Sequence, residues 1–94
     1  MVEVRAQLGG GVWSCQVTVD HGGRRTEHVV TVTGADVERW GRGGGSSRGD
    51  VEDLVARSFD FLLRREPASS ILTSFDLAVI QRYFPEYDQE LRGG

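Results

Sequence analysis

The first candidates for nucleophilic and acid–base catalysis in this chain of 94 residues are its single cysteine and its two histidines, Cys15, His21 and His28. A catalytic cysteine or histidine needs a partner group within hydrogen-bonding distance. The sequence has neither of the zinc-binding spacings Cys-x-x-Cys and His-Glu-x-x-His, and the two histidines lie far apart along one predicted hairpin. We therefore expect no catalytic residues, no cofactor and no metal site, and hence a protein that is not an enzyme.

The predicted neighbours of Cys15 and His28 favour structural roles for both residues. The strand register given below places Cys15 between Ala6 and Val30, and His28 opposite Val17. Apolar neighbours disfavour a thiolate, so we expect burial to raise the pKa of Cys15 and to make its thiol unreactive. We expect His28 to be buried and hydrogen-bonded.

Two glycine-rich runs, LGGGVW and GRGGGSSRGD, are candidates for a phosphate-binding loop. A P-loop requires lysine, which this chain lacks. Neither run has the dinucleotide-binding pattern between a strand and a helix. In addition, Asp50, Glu52 and Asp53 would repel a phosphate at the start of the following helix. We interpret residues 41–50 as a flexible loop.

The last five residues, ELRGG, resemble the C-terminal end of ubiquitin-like modifiers. The resemblance implies conjugation through the terminal glycine. The ubiquitin fold, however, places strands after its main helix, whereas we predict no strand after Asp50 and a helix over YDQEL. We therefore expect an inert and mobile terminus. A ubiquitin-like modifier is one alternative function.

All 11 basic residues are arginine, and lysine and asparagine are both absent, which indicates a GC-rich and hence bacterial genome. The net charge is −3, whereas nucleic-acid-binding proteins usually carry a basic excess or a basic face. Acidic residues alternate with Arg57, Arg64 and Arg65 on the longest predicted helix, which favours a solvated surface with ion pairs. A nucleic-acid-binding module is the other alternative function.

The sequence predicts a cytoplasmic protein that does not associate with membranes. No apolar run approaches the roughly 18 residues that a membrane span needs, and the chain opens without a secretion leader. The single cysteine cannot form an internal disulfide, which suits a reducing compartment.

The first third of the sequence predicts three antiparallel strands. The runs VWSCQVTV and TEHVVTVT alternate in polarity and flank a two-residue turn at Gly22–Gly23, which fixes their register. The upstream run VEVRAQL joins the second strand through a glycine turn. The predicted pairs on the apolar face are Val19 with Thr26, Val17 with His28, Cys15 with Val30, Trp13 with Val32, Leu8 with Trp13, Ala6 with Cys15, and Val4 with Val17.

The second half of the sequence predicts the helices that cover this apolar face. TGADVERWG indicates a short helix, and Asp50 is the predicted N-cap of a longer helix that ends before Pro67. A further helix is predicted to begin near Ser74 and to run through Phe84, and PEYDQEL then forms a last helical turn. We expect these helices to use their apolar residues in their own core. The positions predicted to face that core are Val37, Trp40, Val51, Leu54, Val55, Phe59, Phe61, Leu62, Leu77, Ile80 and Phe84.

The stretch REPASSILTSFDLAVIQRYFPEY, residues 65–87, resembles small uncharacterised bacterial proteins of unknown function. The resemblance implies no particular activity or ligand.

We therefore predict a single α+β domain over residues 1–94, with a sheet over 1–33, the loop over 41–50 and a helical layer over 51–92. The sheet is a three-stranded antiparallel meander covered on one face by two or three helices. Its open face and unprotected edges favour a non-enzymatic protein-binding role, as a regulator, adaptor or accessory subunit, with a homodimer through the sheet edge as one form. At that edge, Arg5→Pro is expected to leave a folded monomer. The predicted binding residues are Glu3, Arg5, Gln7, Gln16, Thr18 and Glu27.

Overall fold

The computed structural model describes residues 1–41 and 47–93, which form an α+β fold with four strands and four α-helices. Tight turns join the first three strands, and the helices follow them in the chain. In chain order the elements are β1 (Val2–Gly9), β2 (Val12–His21), β3 (Arg24–Val32), α1 (Gly34–Trp40), α2 (Arg48–Leu63), a short 3₁₀ helix (Ala68–Ser70), β4 (Ser74–Asp76), α3 (Val79–Tyr83) and α4 (Glu86–Gly93).

Both predicted registers of the meander are confirmed. β1 pairs antiparallel with β2, β2 pairs antiparallel with β3, and every predicted residue pair occurs. The turns at Gly10–Gly11 and Gly22–Gly23 have φ values between 61° and 83°, which glycine adopts without steric cost. A shift by one residue would move Cys15 and its apolar neighbours to the solvent side, so burial and turn geometry specify the same register.

The sheet has four strands rather than the predicted three, in the order β1-β2-β3-β4. β4 runs parallel to β3, with Ser74–Asp76 opposite Val29–Thr31. The prediction that no strand follows Asp50 is therefore wrong. The helix that was predicted to begin near Ser74 begins at Val79.

The long helix α2 begins earlier than predicted because Ser47, not Asp50, is its N-cap. Ser47 Oγ accepts a hydrogen bond from the backbone N–H of Asp50 at 3.3 Å, and the Asp50 carboxylate accepts one from the Ser47 N–H at 3.2 Å. This reciprocal pair is a capping box. Residues 47–50 thus belong to the helix and its cap rather than to a flexible loop, and residues 42–46 of the predicted loop lie outside the described residues.

Helices α1 and α4 are joined through Trp40. Its indole N–H donates to the Asp88 carboxylate at 3.0 Å, and its ring lies 5.1 Å from the ring of Tyr87. Gly41 ends α1, and a Cβ at this position would lie 2.5 Å from the carbonyl oxygen of Val37. Glycine is therefore required where the chain leaves α1.

The hydrophobic core lies between one face of the sheet and the helices. The positions of α1 and α2 that were predicted to face the core are buried, as are Leu77 and Ile80, whereas Phe84 is only partly buried. The opposite face of the sheet, here called the outer face, carries most of the exposed residues of the three long strands. The strands contribute Ala6, Cys15, Val17, Val19, Val30 and Val32 to the core.

Candidate functional site

His28 is buried and hydrogen-bonded, as predicted. Its Nδ1 lies 2.8 Å from the carbonyl oxygen of Leu72, and its Nε2 lies 3.0 Å from Thr26 Oγ1. Because a carbonyl can only accept, Nδ1 carries a proton and donates it to Leu72. The imidazole ring also packs 5.3 Å from the ring of Phe59. Nδ1 therefore joins β3 to the segment before β4, whereas Nε2 is satisfied within β3 itself.

Cys15 is a core side chain, as predicted, with none of its surface exposed. Burial, and to a smaller extent the negative charge of Glu52, raises the pKa of the Cys15 thiol to about 11. Glu52 itself accepts a hydrogen bond from the Ala6 N–H at 2.9 Å, which ties α2 to β1. The thiol is protonated near neutral pH and lacks the thiolate that a nucleophile needs.

A buried pair of hydroxyl groups joins α2 to α4. Ser58 Oγ donates to the carbonyl oxygen of Leu54 at 2.8 Å and lies 2.7 Å from the phenol oxygen of Tyr87. Because Ser58 already donates its hydroxyl proton to Leu54, the Tyr87 hydroxyl donates to Ser58 Oγ. Burial is the main cause that raises the pKa of Tyr87 above its usual value. The sequence did not indicate this pair because its members are 29 positions apart and no local pattern connects them.

All six predicted binding residues lie on the outer face of the sheet. Five of them line one shallow depression with a volume of about 290 Å³. Gln7 is the exception, because it pairs with Ser14 one row further along the sheet. The five residues that the structure brings together are Glu3, Arg5, Gln16, Thr18 and Glu27.

The depression combines charges of both signs with an apolar side chain. One row across the strands carries Glu3 and Glu27, and the next row carries Arg5 and Val29. Val29 is 40% exposed, although it is apolar. Within the described part of the chain, Glu3, Arg5 and Glu27 form no ion pairs with other residues. Their charges are therefore available to a partner.

The sheet edges are less open than predicted. At the β1 edge, the N–H of Ala6 points away from the sheet and donates a hydrogen bond to the Glu52 carboxylate. At the β3 edge, β4 pairs with Val29–Thr31. Because the N–H of Ala6 points outward, the N–H of the preceding residue, Arg5, points inward to Gln16. Arg5→Pro would therefore remove a hydrogen bond of the sheet, and the prediction that proline is tolerated at this position is wrong.

Three arginines in and just after α2 are held in ion pairs with acidic residues. Their charges are balanced locally, so these three residues do not supply the free basic face that nucleic-acid binding requires. The pairs are Arg57 with Asp53 at 2.9 Å, Arg64 with Asp60 at 3.7 Å, and Arg65 with Glu86 at 3.3 Å and with Glu90.

The first glycine of the C-terminal diglycine sequence lies in a helix rather than in an extended segment. α4 runs from Glu86 to Gly93, and Leu91 is buried in the core. The helix thus includes Gly93, Gly94 lies outside the described residues, and the mobility of the terminus stays a prediction. A ubiquitin-like modifier presents an extended tail to its activating enzyme, whereas the residues before Gly94 are helical here.

A second concave surface, here called the α3 groove, was not predicted. It lies between the end of α2, the segment before β4 and α3, and it has a volume of about 280 Å³. Leu72 and Tyr83 line it and are 51% and 70% exposed. The expectation that the helices use their apolar residues in the core is therefore wrong for this region. The available sequence signal was the run ILTSFDLAVIQRYF, which has more apolar residues than one buried stripe of a helix can accommodate.

Comparisons with protein-family models, with curated proteins and with solved structures found no significant match to this chain. Across residues 1–41 and 47–93, no helix has both the length and the apolar character needed to cross a membrane. The same residues contain no group of three or more histidine, cysteine, aspartate or glutamate side chains arranged to hold a metal ion. The geometry of the outer face and of the α3 groove is therefore the guide to function.

Proposed function

We propose that this chain is a non-enzymatic protein-binding domain whose interface is the outer face of the sheet, and that its ligand is a second copy of the chain or a partner protein. The depression on that face supports the proposal, because it combines charges without ion-pair partners in the described chain and the exposed Val29. An apolar centre with polar groups around it is the usual composition of a protein interface.

The arrangement of charges suits self-association in particular. Arg5 lies one row away from Glu3, with Glu27 in the same row as Glu3. In a two-fold symmetric dimer both copies present the same surface to each other. Arg5 of one copy can therefore pair with an acidic side chain of the other copy, and such pairs fix the relative orientation of the two chains.

Charge reversal tests the interface directly. Arg5→Glu makes the charged groups of the depression wholly acidic, and the double substitution Glu3→Arg with Glu27→Arg makes them wholly basic. We expect each variant alone to be monomeric at concentrations where the wild-type chain is dimeric, because like charges would then face each other. We expect an equimolar mixture of the two variants to associate again. Sedimentation velocity between about 1 µM and about 100 µM measures both effects.

Two matched variants control for the change in net charge. Arg48→Glu matches the charge change of Arg5→Glu, and Glu38→Arg with Asp60→Arg matches that of the double variant. These exposed helix positions lie away from the sheet, and both controls should sediment like the wild-type chain. If the wild-type chain is monomeric throughout, the ligand is a different protein, which affinity capture from the source cells would retain on the wild-type chain and lose on Arg5→Glu. A monomeric chain that retains no protein in this comparison contradicts the proposal.

A further inference from the structure

The residues that line the α3 groove are apolar or aromatic except for Ser70 and Glu66. Its apolar walls include Leu62 from α2, Leu72 and Phe75 from the segment that contains β4, and Tyr83 from α3. Glu66 is the charged residue among those that line it. The groove lies on the helical side of the sheet, so it is separate from the outer face.

Two large apolar side chains at this groove remain in contact with solvent. Leu72 is 51% exposed and Tyr83 is 70% exposed, and they flank the partly buried Phe75. Exposed apolar groups that lie together in a concave surface mark binding sites on soluble proteins. Tyrosine in particular is enriched at the centres of protein interfaces, because its ring contributes apolar area and its hydroxyl a hydrogen bond.

Glu66 differs from the other acidic residues near the end of α2. The neighbouring Arg64 and Arg65 are paired with Asp60, Glu86 and Glu90, whereas Glu66 forms no ion pair within the described residues. Its side chain is partly buried beside apolar groups. Charges interact more strongly where water is partly excluded, so this carboxylate favours a cationic group of a ligand.

We propose that the α3 groove binds a short segment of a partner protein that combines apolar side chains with one lysine or arginine. The apolar side chains pack against Leu72 and Tyr83, and the basic group pairs with Glu66. This complementarity of one charge within an apolar surface supplies the selectivity, because an acidic segment would place two negative charges together.

The edge of β4 favours a peptide over a small apolar amine. The N–H of Val29 donates to the Thr73 carbonyl oxygen at 2.8 Å, so Thr73 and every second residue after it face β3. The backbone groups of Ser74 and Asp76 therefore point away from the sheet, and both residues are exposed. An extended peptide has donors and acceptors that match such an edge.

The shape of the groove favours the same choice. Sites for small molecules enclose most of the ligand surface, typically in volumes of about 300–1,000 Å³. The α3 groove, at about 280 Å³, is at the lower end of this range, and Leu72 and Tyr83 on its walls are open to solvent. A segment of a larger partner can fill this volume with one or two side chains and cover the exposed walls with its neighbouring residues.

The test uses a phage-displayed library of random heptapeptides, selected on the whole folded chain. We expect the wild-type chain to enrich peptides that contain leucine-like side chains and one lysine or arginine. The charge-reversal variant Glu66→Arg should enrich acidic peptides instead, because the apolar walls are unchanged and only the sign of the charge differs. A reversal of this kind reports on the charge at this position, and a merely structural role of Glu66 would not produce it.

A synthetic copy of the most enriched peptide then locates and measures the binding. Its addition should shift the backbone amide NMR signals of residues around Leu72 and Tyr83, and Leu72→Glu should weaken its affinity by about tenfold or more. Glu66→Gln should weaken it by about threefold to fivefold, as expected for a partly exposed ion pair. Because Leu72 is exposed and the hydrogen bond from His28 uses only its backbone, Leu72→Glu should remain folded.

Arg5→Glu, on the outer face, separates this site from the proposed function. It should bind the peptide like the wild-type chain, whether or not the outer face serves as an interface. The proposal is overturned if no basic and apolar peptides are enriched beyond the level seen with Leu72→Glu, or if enriched peptides shift only signals of the outer face. Binding of hexylamine in the groove without any peptide enrichment would also overturn it and would assign the groove to small amines.

Discussion

At the scale of single residues, Cys15 makes the stability of the fold depend on pH in the alkaline range. Burial raises the pKa of its thiol from 9.0 to about 11 in the folded chain. The folded state therefore holds the proton more tightly than the unfolded state, so the stabilisation is fully present below about pH 9 and is lost as the pH rises through about 11. Cys15 should thus lower the free energy of unfolding by about 2 kcal/mol between about pH 8 and about pH 10.5.

The variant Cys15→Ala isolates this effect. Tyr87 also has a raised pKa but is present in both proteins, so its contribution cancels in the comparison. Urea unfolding followed by circular dichroism at the two pH values measures each free energy. Equal losses in the wild-type chain and in Cys15→Ala would show that the thiol does not titrate as proposed.

The hydroxyl pair between α2 and α4 predicts an asymmetry between two substitutions. Ser58→Ala removes the acceptor of the buried Tyr87 hydroxyl and leaves it unpaired, which should cost about 1–3 kcal/mol. Tyr87→Phe leaves Ser58 bonded to Leu54 and should cost only about 0.5–1.5 kcal/mol through the lost hydrogen bond. Chemical denaturation at neutral pH compares the two variants, and a larger loss for Tyr87→Phe would contradict this assignment of donors.

At the scale of elements, the hydrogen-bond alternation along β1 predicts where proline is tolerated. The N–H of Gln7 points inward to Ser14, whereas the N–H of Leu8 points outward, and both side chains are exposed. Leu8→Pro should therefore unfold near the wild-type denaturant midpoint. Gln7→Pro should lose about 1–3 kcal/mol, because it removes a sheet hydrogen bond and leaves the Ser14 carbonyl without its donor. Equal stabilities of the two proline variants would contradict the β1 register.

The elements that sequence reasoning predicted are those whose signals are local. The two glycine turns and the alternating polarity around Cys15 specified both hairpin registers, because turn length and burial impose the same pairing. The outer-face residues followed from that register, which is why five of the six predicted binding residues line one depression. The buried face of α2 was likewise predictable from the helical spacing of its apolar residues.

The elements that were missed depend on contacts between distant parts of the chain. β4 has only three residues, too few to carry a periodic signal of their own, and its partners Val29–Thr31 lie 45 positions earlier in the chain. The start of α2 was misplaced because Ser47 and Asp50 are both good N-cap residues, and only the reciprocal hydrogen bonds distinguish them. The α3 groove was missed for the same reason. The segment from Ser74 to Phe84 was predicted to be one helix, but it is divided between β4 and α3, and both elements line the groove.

At the scale of the whole molecule, the structure separates two kinds of surface. The outer face of the sheet is mainly polar and carries Glu3, Arg5 and Glu27 without ion-pair partners in the described chain, whereas the α3 groove is apolar and carries Glu66. The sheet and its helical layer lie between them. A chain with two such surfaces can hold two partners at once, which is consistent with the proposed role as an adaptor or accessory subunit.

The same distribution of charge predicts that the whole chain binds nucleic acid only poorly. The net charge is −3, and Arg57, Arg64 and Arg65 are each paired with a carboxylate. Phosphate contacts need cationic groups that release counterions from the nucleic acid, and an arginine already paired with an acid contributes little to that release. In a gel-shift experiment at physiological salt we expect no complex with double-stranded DNA or RNA at protein concentrations up to about 10 µM. The matched variant Asp60→Asn with Glu90→Gln removes both acidic partners of Arg64, so it should bind nucleic acid measurably more tightly at low salt. Sub-micromolar binding of nucleic acid by the wild-type chain would contradict the prediction.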